Sequence, residues 1–545
     1  MPASDGIGDR GGQMAIMETQ LNTWRLLAHA DRHFADVEIV TEESPGTKHR
    51  YTFGDFAKRT RALMNALDGL GLSPDAKIAT LSFNTYRHVE CYFAIPCTGR
   101  VLHTLNARLS PEDLAFIIND AEDEAVFVAE DLVPVLDQIT DQIPSVKALV
   151  VMGGEPGKVK NGWLHYETLL AQNPQTYAER DIDENSPAGL CYTSGTTGRP
   201  KGAVYTHRST YLHAIACALP SGMSICTTDC ILPVVPMFHA NAWGMVHAAI
   251  ANGAKIVFSY PHLEPKTFVD LLFDEGVTMS AGVPTVWITI EEELRSRGTR
   301  PPMLREIVSG GSQPPKPLIE RYQRDLGITI VQAWGMTETS PLSSLARPKH
   351  AMLQLSPEEK LERVWSQAGL PAPGIDVILR DNDGNEVPWD GTTMGNLYIK
   401  GPWVIDSYLH GRGADSFGDG WFKTGDVAIG SPDGYFVIAD RTKDLIKSGG
   451  EWISSVDLEG ALMGMPGVVE AAVVAIPDDK WQERPLACVV PVPGTEVSLE
   501  AVREHLATRG FAKWQLPERI EIIDQVPRTS VGKFDKKALR ARFPH

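Results

Sequence analysis

The sequence predicts an α/β protein with a large N-terminal domain of parallel βα sheets plus a small antiparallel, barrel-like layer, followed by a small, mobile α+β C-terminal domain. Three observations predict this fold. Helix-like and strand-like segments alternate up to about residue 332, strands separated by Gly, Asp and Pro turns follow over 374–438, and the pattern changes again near Asp440. We therefore expect a disordered leader over 1–21, an N-terminal domain over 22–439 and a C-terminal domain over 440–545.

The first part of the chain reads as alternating helices and buried strands. Residues 53–70 have the apolar spacing of a helix and end among glycines, and 90–98 form a second helical segment. Strands are predicted at 77–82, from 101, and at 125–128, 148–152, 255–258, 278–281, 306–308 and 329–332. This alternation is typical of parallel sheets with helices on their faces.

The later segments have a different pattern. Residues 374–379, 395–400 and 435–438 read as strands of an antiparallel layer. Beyond the boundary near Asp440, helices at 455–462 and 499–508 flank a strand at 468–476. The last part of the chain is therefore expected to be a small α+β unit.

Composition excludes several classes of protein. With 51 basic and 69 acidic residues the formal charge is −18, which argues against generic binding to nucleic acid or to an anionic membrane. The seven cysteines show no zinc-site spacing and indicate reduced thiols in a cytoplasmic protein. No stretch approaches the ~20 apolar residues of a transmembrane helix. The start lacks the apolar core of a signal peptide, and Met14 or Met17 is an alternative native start to Met1.

The strongest motif is YTSGTTGRPKG at 192–202, which combines three glycines, several hydroxyl residues and Lys201. Glycines allow backbone N–H groups to face a polyphosphate, hydroxyls add donors, and lysine adds a positive charge. A flexible linker is the alternative, and the apolar flanks 188–190 and 203–205, which resemble a hairpin, weigh against it. The ending does not match that of an ordinary P-loop.

Two further motifs carry carboxylates. In QAWGMTET at 332–339, a buried strand delivers Thr337 and Glu338 to its carboxyl end, where open α/β sheets hold ligands. Glu338 there could hold Mg²⁺, although a solvated loop carboxylate is the plain alternative. In GWFKTGD at 420–426, Asp426 could accept hydrogen bonds from ribose hydroxyls, or belong only to a turn.

The last two motifs involve mobility. The segment DRTKDLIKSGGEW at 440–452 combines charges with a glycine pair and fits either a hinge or an ordinary interdomain linker. Near the end, PRTSVGK places Lys533 on a glycine-bearing loop. Such a lysine can enter a site as a mobile cation, or lie on an exposed basic tail.

Together and in this order, the five motifs resemble the adenylate-forming superfamily of acyl- and aryl-CoA synthetases, peptide-synthetase adenylation domains and beetle luciferases. The resemblance extends from about Asn22 to the end of the chain. The segment PMFHANAWG at 236–244 is similar to the medium- and long-chain fatty acyl-CoA synthetase branch, in which a tryptophan at this place gates the acyl tunnel.

The resemblance implies a role for each matching residue. The catalytic residues would be Lys533 and Glu338, and Thr193 and Glu338 would place Mg²⁺. The nucleotide would be bound by Thr193, Ser194, Gly195, Thr196, Thr197, Gly198, Lys201, Gly310, Gly311, Ser312, Gln332, Ala333, Trp334, Thr337, Asp426, Arg441, Lys443, Lys447 and Trp452. The substrate side would comprise His239, Trp243, Gly449, Gly450 and Glu451, with Val283, Pro284 and Met336 as further candidate walls of the acyl site.

The implied activity is an ATP-dependent acid:CoA ligase that uses ATP, Mg²⁺ and coenzyme A and acts on a medium- or long-chain fatty acid, in a homodimer. Three alternatives stay open at this point. The acid could be short, aryl or methylthio-substituted, the enzyme could form the acyl-adenylate without using CoA, or the chain could be a non-catalytic sensor. The presence of Lys533, Glu338 and the glycine-rich loop argues against the sensor.

Overall fold

A computed structural model describes residues 17–193, 199–259, 264–449, 451–530 and 532–544. Most of the predicted leader lies outside these residues. The described helices are α1 (Thr23–His33), α2 (Phe53–Gly69), α3 (Tyr86–Cys97), α4 (Pro111–Ala121), α5 (Val133–Asp137), α6 (Tyr166–Ala171), α7 (His207–Ala218), α8 (Met245–Asn252), α9 (Pro265–Asp274), α10 (Pro284–Ser296), α11 (Lys316–Arg321), α12 (Pro357–Lys360), α13 (Ser455–Leu462), α14 (Leu499–Thr508) and α15 (Lys536–Arg542).

The strands of the described residues form four sheets. They are β1 (Glu38–Ser44), β2 (Thr47–Thr52), β3 (Lys77–Leu81), β4 (Val101–Leu105), β5 (Ala125–Ala129), β6 (Ala148–Met152), β7 (Leu164–His165), β8 (Pro187–Thr193), β9 (Lys201–Thr206), β10 (Cys230–Pro233), β11 (Lys255–Phe258), β12 (Met279–Gly282), β13 (Glu306–Ser309), β14 (Thr329–Gly335), β15 (Leu342–Leu345), β16 (Leu370–Pro371), β17 (Asp376–Arg380), β18 (Met394–Lys400), β19 (Phe417–Gly418), β20 (Trp421–Gly430), β21 (Phe436–Arg441), β22 (Ile446–Ser448), β23 (Glu451–Ile453), β24 (Val468–Asp478), β25 (Gln482–Pro491) and β26 (Arg519–Ile522).

Two large sheets with parallel centres form the N-terminal part, which confirms the predicted fold class. One has the order β7-β6-β5-β3-β4-β8-β9 and is parallel except for the β8–β9 hairpin. The other has the order β16-β15-β14-β13-β12-β10-β11-β1-β2, with antiparallel pairs only towards its two edges. Their central strands are mostly buried, for example all five residues of β4, whereas the edge strand β2 has one buried residue. Near-continuous apolar strands are what parallel sheets covered on both faces require.

Two smaller sheets follow along the chain. The strands β17, β18, β20, β19 and β21 form the expected antiparallel layer. The strands β22 to β26 form a second sheet, which packs with α13 and α14 around its own apolar cluster. Among the described helices, none combines the length and apolarity that crossing a bilayer requires.

Some element boundaries differ from the sequence prediction. Helix α3 begins at Tyr86 rather than at Glu90, because the Thr85 side chain accepts a hydrogen bond from the backbone N–H of His88 and caps the earlier start. The predicted boundary residue Asp440 lies inside β21, paired with Val427, so this strand continues through the predicted hinge.

Candidate active site

A cleft of about 1940 Å³ opens between the N-terminal sheets, the antiparallel layer and the C-terminal α+β part. Most of the predicted site residues line it, although they are spread over more than 300 positions of sequence. Those that line the cleft are Thr193, Lys201, His239, Trp243, Gly310, Gly311, Ser312, Gln332, Ala333, Trp334, Thr337, Glu338, Asp426, Arg441, Lys443 and Lys533. The structure therefore brings the five motifs together.

The strand order explains this convergence. Gly310 directly follows β13, and Thr337 follows β14, its parallel neighbour. Carboxyl ends of parallel strands meet at one edge of a sheet, so both segments open into the same cleft. Thr193 and Lys201 pair at the loop end of the β8–β9 hairpin, which the apolar flanks of the glycine-rich motif predicted. Its central residues Ser194, Gly195, Thr196, Thr197 and Gly198 lie outside the described residues.

Two tyrosines hold the Thr337–Glu338 segment. The Tyr205 hydroxyl donates to the backbone carbonyl of Thr337 at 2.7 Å, and the Tyr408 hydroxyl donates to Oε1 of Glu338 at 2.6 Å. The Lys201 ammonium lies 5.1 Å from the centre of the Tyr408 ring, within cation–π range. Sequence reasoning missed Tyr408, because one tyrosine in the segment DSYLHG follows no functional spacing.

Asp426 and Arg441 form an ion pair at the cleft wall. They face each other in the β20–β21 register, and Arg441 Nε lies 2.7 Å from Asp426 Oδ1. The indole Nε1 of Trp334 donates to Asp426 Oδ2 at 3.0 Å. The charge of Asp426 raises the pKa of Arg441 above its usual value. Motifs that stand apart in sequence thus build one wall.

Lys533 reaches into this cleft from the C-terminal part. A side chain added at Gly311 would lie 3.2 Å from Lys533 Cε, so the lysine stem passes directly over this glycine. Burial, and then the positive charge of Arg441, lower the pKa of Lys533 to about 8, against the opposing influence of Asp426 and Glu338. The ammonium is therefore poised between its charged and neutral forms near neutral to mildly basic pH.

Trp243 stands on a left-handed turn between the cleft and a second cavity. The φ angles of residues 240–244 run from 44° to 72°, and Gly244 is the only glycine among them. An added side chain at Gly310 would approach the Trp243 ring to 3.0 Å, so the indole packs closely on that backbone. Trp243 and His239 line both the cleft and the adjoining cavity of about 180 Å³. The indole is thus part of the partition between the two spaces.

The His239 imidazole, which lines both spaces beside Trp243, is expected to be uncharged at neutral pH. Burial, and then the nearby charge of Lys533, lower its pKa to about 3. Of the other predicted acyl-site walls, Pro284 and Met336 line the cleft, and Val283 lines the smaller cavity. The residues predicted to line the acyl site therefore lie in one region around Trp243.

Four of the predicted residues do not line the cleft in this arrangement. Lys447, Gly449, Glu451 and Trp452 lie on or beside the β22–β23 hairpin. The Lys447 ammonium is 5.7 Å from the Trp452 ring, and Trp452 is 39% exposed. Gly450 lies outside the described residues.

Among the described residues, no group of three or more His, Cys, Asp or Glu side chains could enclose a metal ion. Glu338 offers one carboxylate and Thr193 one hydroxyl at the cleft. Such a sparse oxygen set fits Mg²⁺, which is usually held by one or two carboxylates together with water and substrate phosphates.

The chain matches known proteins over nearly its full length. Residues 27–409 match the family model described as AMP-binding enzyme, and 457–533 match that of the AMP-binding enzyme C-terminal domain. The chain is 45% identical over 531 residues to a long-chain-fatty-acid–CoA ligase of Thermus thermophilus, covering 97% of this chain and 96% of the relative. It is 40% identical to a medium-chain-fatty-acid–CoA ligase of Ectopseudomonas oleovorans, covering 98% and 97%. It is also 40% identical to a 3-methylmercaptopropionyl-CoA ligase of Ruegeria lacuscaerulensis, covering 98% of each.

Solved structures have the same fold. The anthranilate CoA ligase AuaEII in complex with anthranoyl-AMP superposes with a TM-score of 0.86 at 23% identity, covering 96% of this chain and 98% of that one. A Mycobacterium tuberculosis fatty acyl CoA synthetase superposes with a TM-score of 0.70 at 26% identity, again covering 96% and 98%.

Proposed function

This chain belongs to the AMP-binding enzyme family, and we propose that it is an ATP-dependent, AMP-forming acid:CoA ligase for a medium- or long-chain fatty acid. The observation that carries the proposal is the convergence of Lys533, Glu338 and the Asp426–Arg441 pair on one cleft. A basic side chain from the C-terminal part meets carboxylates from two different sheets there. This arrangement suits a nucleotide whose phosphates and ribose need opposite kinds of partner.

In the first half-reaction, a carboxylate oxygen of the acid attacks the α-phosphorus of ATP. A new P–O bond forms, pyrophosphate leaves, and acyl-AMP remains. Negative charge gathers on the transferring phosphoryl group, and a positioned cation stabilises it. We assign this role to the charged form of Lys533, with Thr337 at the α-phosphate and Asp426 with Arg441 at the ribose.

In the second half-reaction, the CoA thiol loses its proton and its sulfur attacks the acyl carbon, so that a thioester forms and AMP leaves. Lys533, which assists the release of pyrophosphate, has no role in this step. A different set of residues must therefore face the reacting atoms. We propose that the C-terminal domain, 440–545, rotates about Asp440 and brings Gly449, Gly450 and Glu451 to the cleft. Lys443, Lys447 and Trp452 would contact the nucleotide in the course of this cycle.

The phosphate end of the site fits Mg²⁺. Thr193 and Glu338 would hold the ion, with the remaining ligands supplied by phosphates and water. When bound, the ion would neutralise phosphate charge. The chain's own contribution is to fix Glu338 through the hydrogen bond from Tyr408.

The fatty nature of the acid rests on Trp243 and on two relatives. The relatives are named as long- and medium-chain fatty acid CoA ligases. Trp243 separates the cleft from a neighbouring cavity, as a movable gate to an acyl chain would. We further propose a cytoplasmic homodimer.

A second acid has support of its own. A relative at 40% identity over 537 residues is named as a 3-methylmercaptopropionyl-CoA ligase. We therefore keep a short methylthio-substituted acid as the alternative substrate. Rates measured with straight-chain acids of increasing length and with 3-methylmercaptopropionate would separate the two. Turnover confined to the methylthio acid would overturn the fatty-acid assignment.

The reaction itself is tested in its two halves. Acid-dependent exchange of pyrophosphate into ATP reports adenylation, and acyl-CoA formation with release of AMP reports the whole reaction. Lys533→Ala should lower exchange by roughly 10²–10³-fold, as removal of one transition-state donor does. The exposed Lys513, which does not line the cleft, gives the matched control Lys513→Ala. Undiminished pyrophosphate exchange in Lys533→Ala would refute the proposal. So would release of AMP that does not depend on CoA and is not accompanied by acyl-CoA.

A further inference from the structure

We propose that Asn106, Arg108 and Thr285 form a docking site for the Lys533 loop, meaning here its described residues Thr529, Ser530, Gly532 and Lys533, and position Lys533 for the adenylation half-reaction only. The inference rests on the proposed function, because it assumes that Lys533 serves the first of two half-reactions. It adds three positioning residues, none of which belongs to the five motifs.

The Lys533 loop is held together internally. The backbone N–H of Thr529 donates to the carbonyl of Lys533 at 2.8 Å, and the N–H of Gly532 donates back to the carbonyl of Thr529 at 2.9 Å. The N–H of Lys533 donates to the Thr529 hydroxyl at 3.2 Å. These bonds tie Thr529, Gly532 and Lys533 to one another, so a contact that fixes one of them also restricts Lys533.

The N-terminal domain holds this loop at three points. Asn106 Nδ2 donates to the Ser530 hydroxyl at 2.9 Å, and a guanidinium nitrogen of Arg108 donates to the Ser530 carbonyl at 3.1 Å. Thr285 Oγ1 donates to the Gly532 carbonyl at 3.3 Å. The three donors lie beside two separate sheets, since Asn106 and Arg108 follow β4 and Thr285 is the second residue of α10, which follows β12. Three bonds from two directions define an orientation, which one bond would not.

Asn106 is itself oriented before docking. Its Oδ1 accepts the backbone N–H of Arg108 at 3.0 Å, which leaves Nδ2 pointing outwards as the donor. A donor fixed in advance loses little side-chain freedom when it binds. This local turn lies at the carboxyl end of β4, the edge of the sheet that faces the cleft.

The docking site is suited to repeated release. Within the described part of the chain, Arg108 makes no salt bridge with a carboxylate, and its bond is to a neutral carbonyl. The guanidinium donor is charged, but its acceptor is neutral, so this contact lacks the attraction between opposite charges that a salt bridge to a carboxylate would add. Rotation of the C-terminal domain about Asp440 would break all three bonds together, because Asn106, Arg108 and Thr285 stay with the large domain. Their effect is therefore confined to the arrangement in which Lys533 occupies the cleft.

The test measures each half-reaction separately in three variants, Asn106→Ala, Ser530→Ala and the double variant. Loss of one such bond should slow acid-dependent pyrophosphate exchange by about 3–10-fold. Conversion of supplied acyl-AMP and CoA into acyl-CoA should stay at the wild-type rate. Ser530→Ala removes the Asn106–Ser530 bond, and Asn106→Ala removes the same bond together with the turn bond from the Arg108 N–H. The double variant should therefore be no slower than Asn106→Ala.

The controls distinguish positioning from folding. Asn119→Ala removes an exposed asparagine whose described hydrogen bond is to the Gln142 carbonyl and not to the Lys533 loop, and it should leave both half-reactions unchanged. Ser530→Ala alters only a loop side chain, so its thermal midpoint should match that of wild type. An equal loss in both half-reactions, additive losses in the double variant, or no loss in exchange would overturn the docking site alone. Absence of acid-dependent exchange in the wild type would overturn the proposed function as well.

Discussion

Among the described residues, the side chain that donates to the Glu338 carboxylate at the cleft is Tyr408. Burial, and then the charge of Glu338, raise the pKa of Tyr408 above its ordinary value, so its hydroxyl stays protonated and donating. Within the described residues, no hydrogen bond reaches the second oxygen, Oε2, of this carboxylate. Tyr408 therefore sets which oxygen of Glu338 is available to a ligand.

Tyr408→Phe should raise the Mg²⁺ concentration that gives half-maximal adenylation, by roughly 3–10-fold, because Glu338 loses the donor that orients it. The measurement is pyrophosphate exchange titrated with Mg²⁺. Tyr435→Phe is the matched control, since its buried hydroxyl donates to the Arg347 carbonyl at 2.6 Å outside the cleft. An unchanged Mg²⁺ requirement in Tyr408→Phe would show that Tyr408 does not act through Glu338.

The first half-reaction should depend on the charge of Lys533. Its pKa is lowered to about 8, so the cation is present below that pH and is lost as the pH rises through it. We expect kcat/KM for ATP, which reports the free enzyme, to fall above about pH 8. In Lys533→Arg that fall should be absent, because arginine stays charged throughout this range. Identical alkaline limbs in both proteins would assign the titration to another group.

At the scale of a single element, the left-handed turn at 240–244 is a strained segment beside the cleft. Four consecutive non-glycine residues, Ala240, Asn241, Ala242 and Trp243, have φ between 44° and 56°. Each such residue costs roughly 1–2 kcal/mol relative to the right-handed form. The surrounding packing must offset this cost, since all four are buried. Strain of this kind concentrates at functional sites, which agrees with the proposed gating role of Trp243.

The turn leaves no room for a side chain at its end. Gly244→Ala would put a Cβ 2.4 Å from the His213 ring, so we expect a loss of more than ~2 kcal/mol in unfolding free energy. Gly71→Ala is the control, because Gly71 has nearly the same φ, +69° against +72°, and open space around it. It should cost only about 1–2 kcal/mol. Urea denaturation of both variants checks this, and equal losses would mean that backbone conformation alone, and not the contact with His213, sets the cost.

At the scale of the whole molecule, the C-terminal part is joined to the large domain at Asp440 through buried polar contacts. The Asp440 carboxylate accepts the backbone N–H of Ser455 at 2.8 Å, and the Ser454 hydroxyl donates to the Ala439 carbonyl at 2.6 Å. Burial raises the pKa of Asp440. The Asp440 side chain is thus fixed to the start of α13, and a rotation would take place in the backbone beside it.

A covalent crosslink that keeps the Lys533 loop docked should permit the first half-reaction and block the second. Asn106→Cys with Ser530→Cys, joined by a short thiol crosslinker in a Cys226→Ser background, would keep the Lys533 loop docked. Cys226 is replaced because it is the exposed cysteine, whereas the other six are buried. The crosslinked protein should form one equivalent of acyl-AMP and then fail to produce acyl-CoA. Steady acyl-CoA production by fully crosslinked protein would mean that the C-terminal domain does not need to rotate.

The sequence by itself determined the fold class and predicted most of the residues proposed for the site, which line the cleft. Regular periodicity predicted α2 over Phe53–Gly69, β6 over Ala148–Met152 and α13 over Ser455–Leu462 within a residue or so. Local patterns reveal such elements because the buried face of a helix or strand must repeat with its own period. Lys533, Glu338 and Asp426 were predicted differently, from compact motifs and the family resemblance, and all three line the cleft.

Only the tertiary structure decided which residues support those groups. Tyr408 orients Glu338 across 70 residues, and Asn106 meets Ser530 across 424. Such contacts leave no local pattern, because a single hydrogen-bonding side chain is compatible with any surrounding sequence. The left-handed turn under Trp243 likewise has ordinary residues in a conformation that only the packing around them imposes. Sequence identified the groups proposed to carry out the reaction, and the long-range contacts decide where those groups stand.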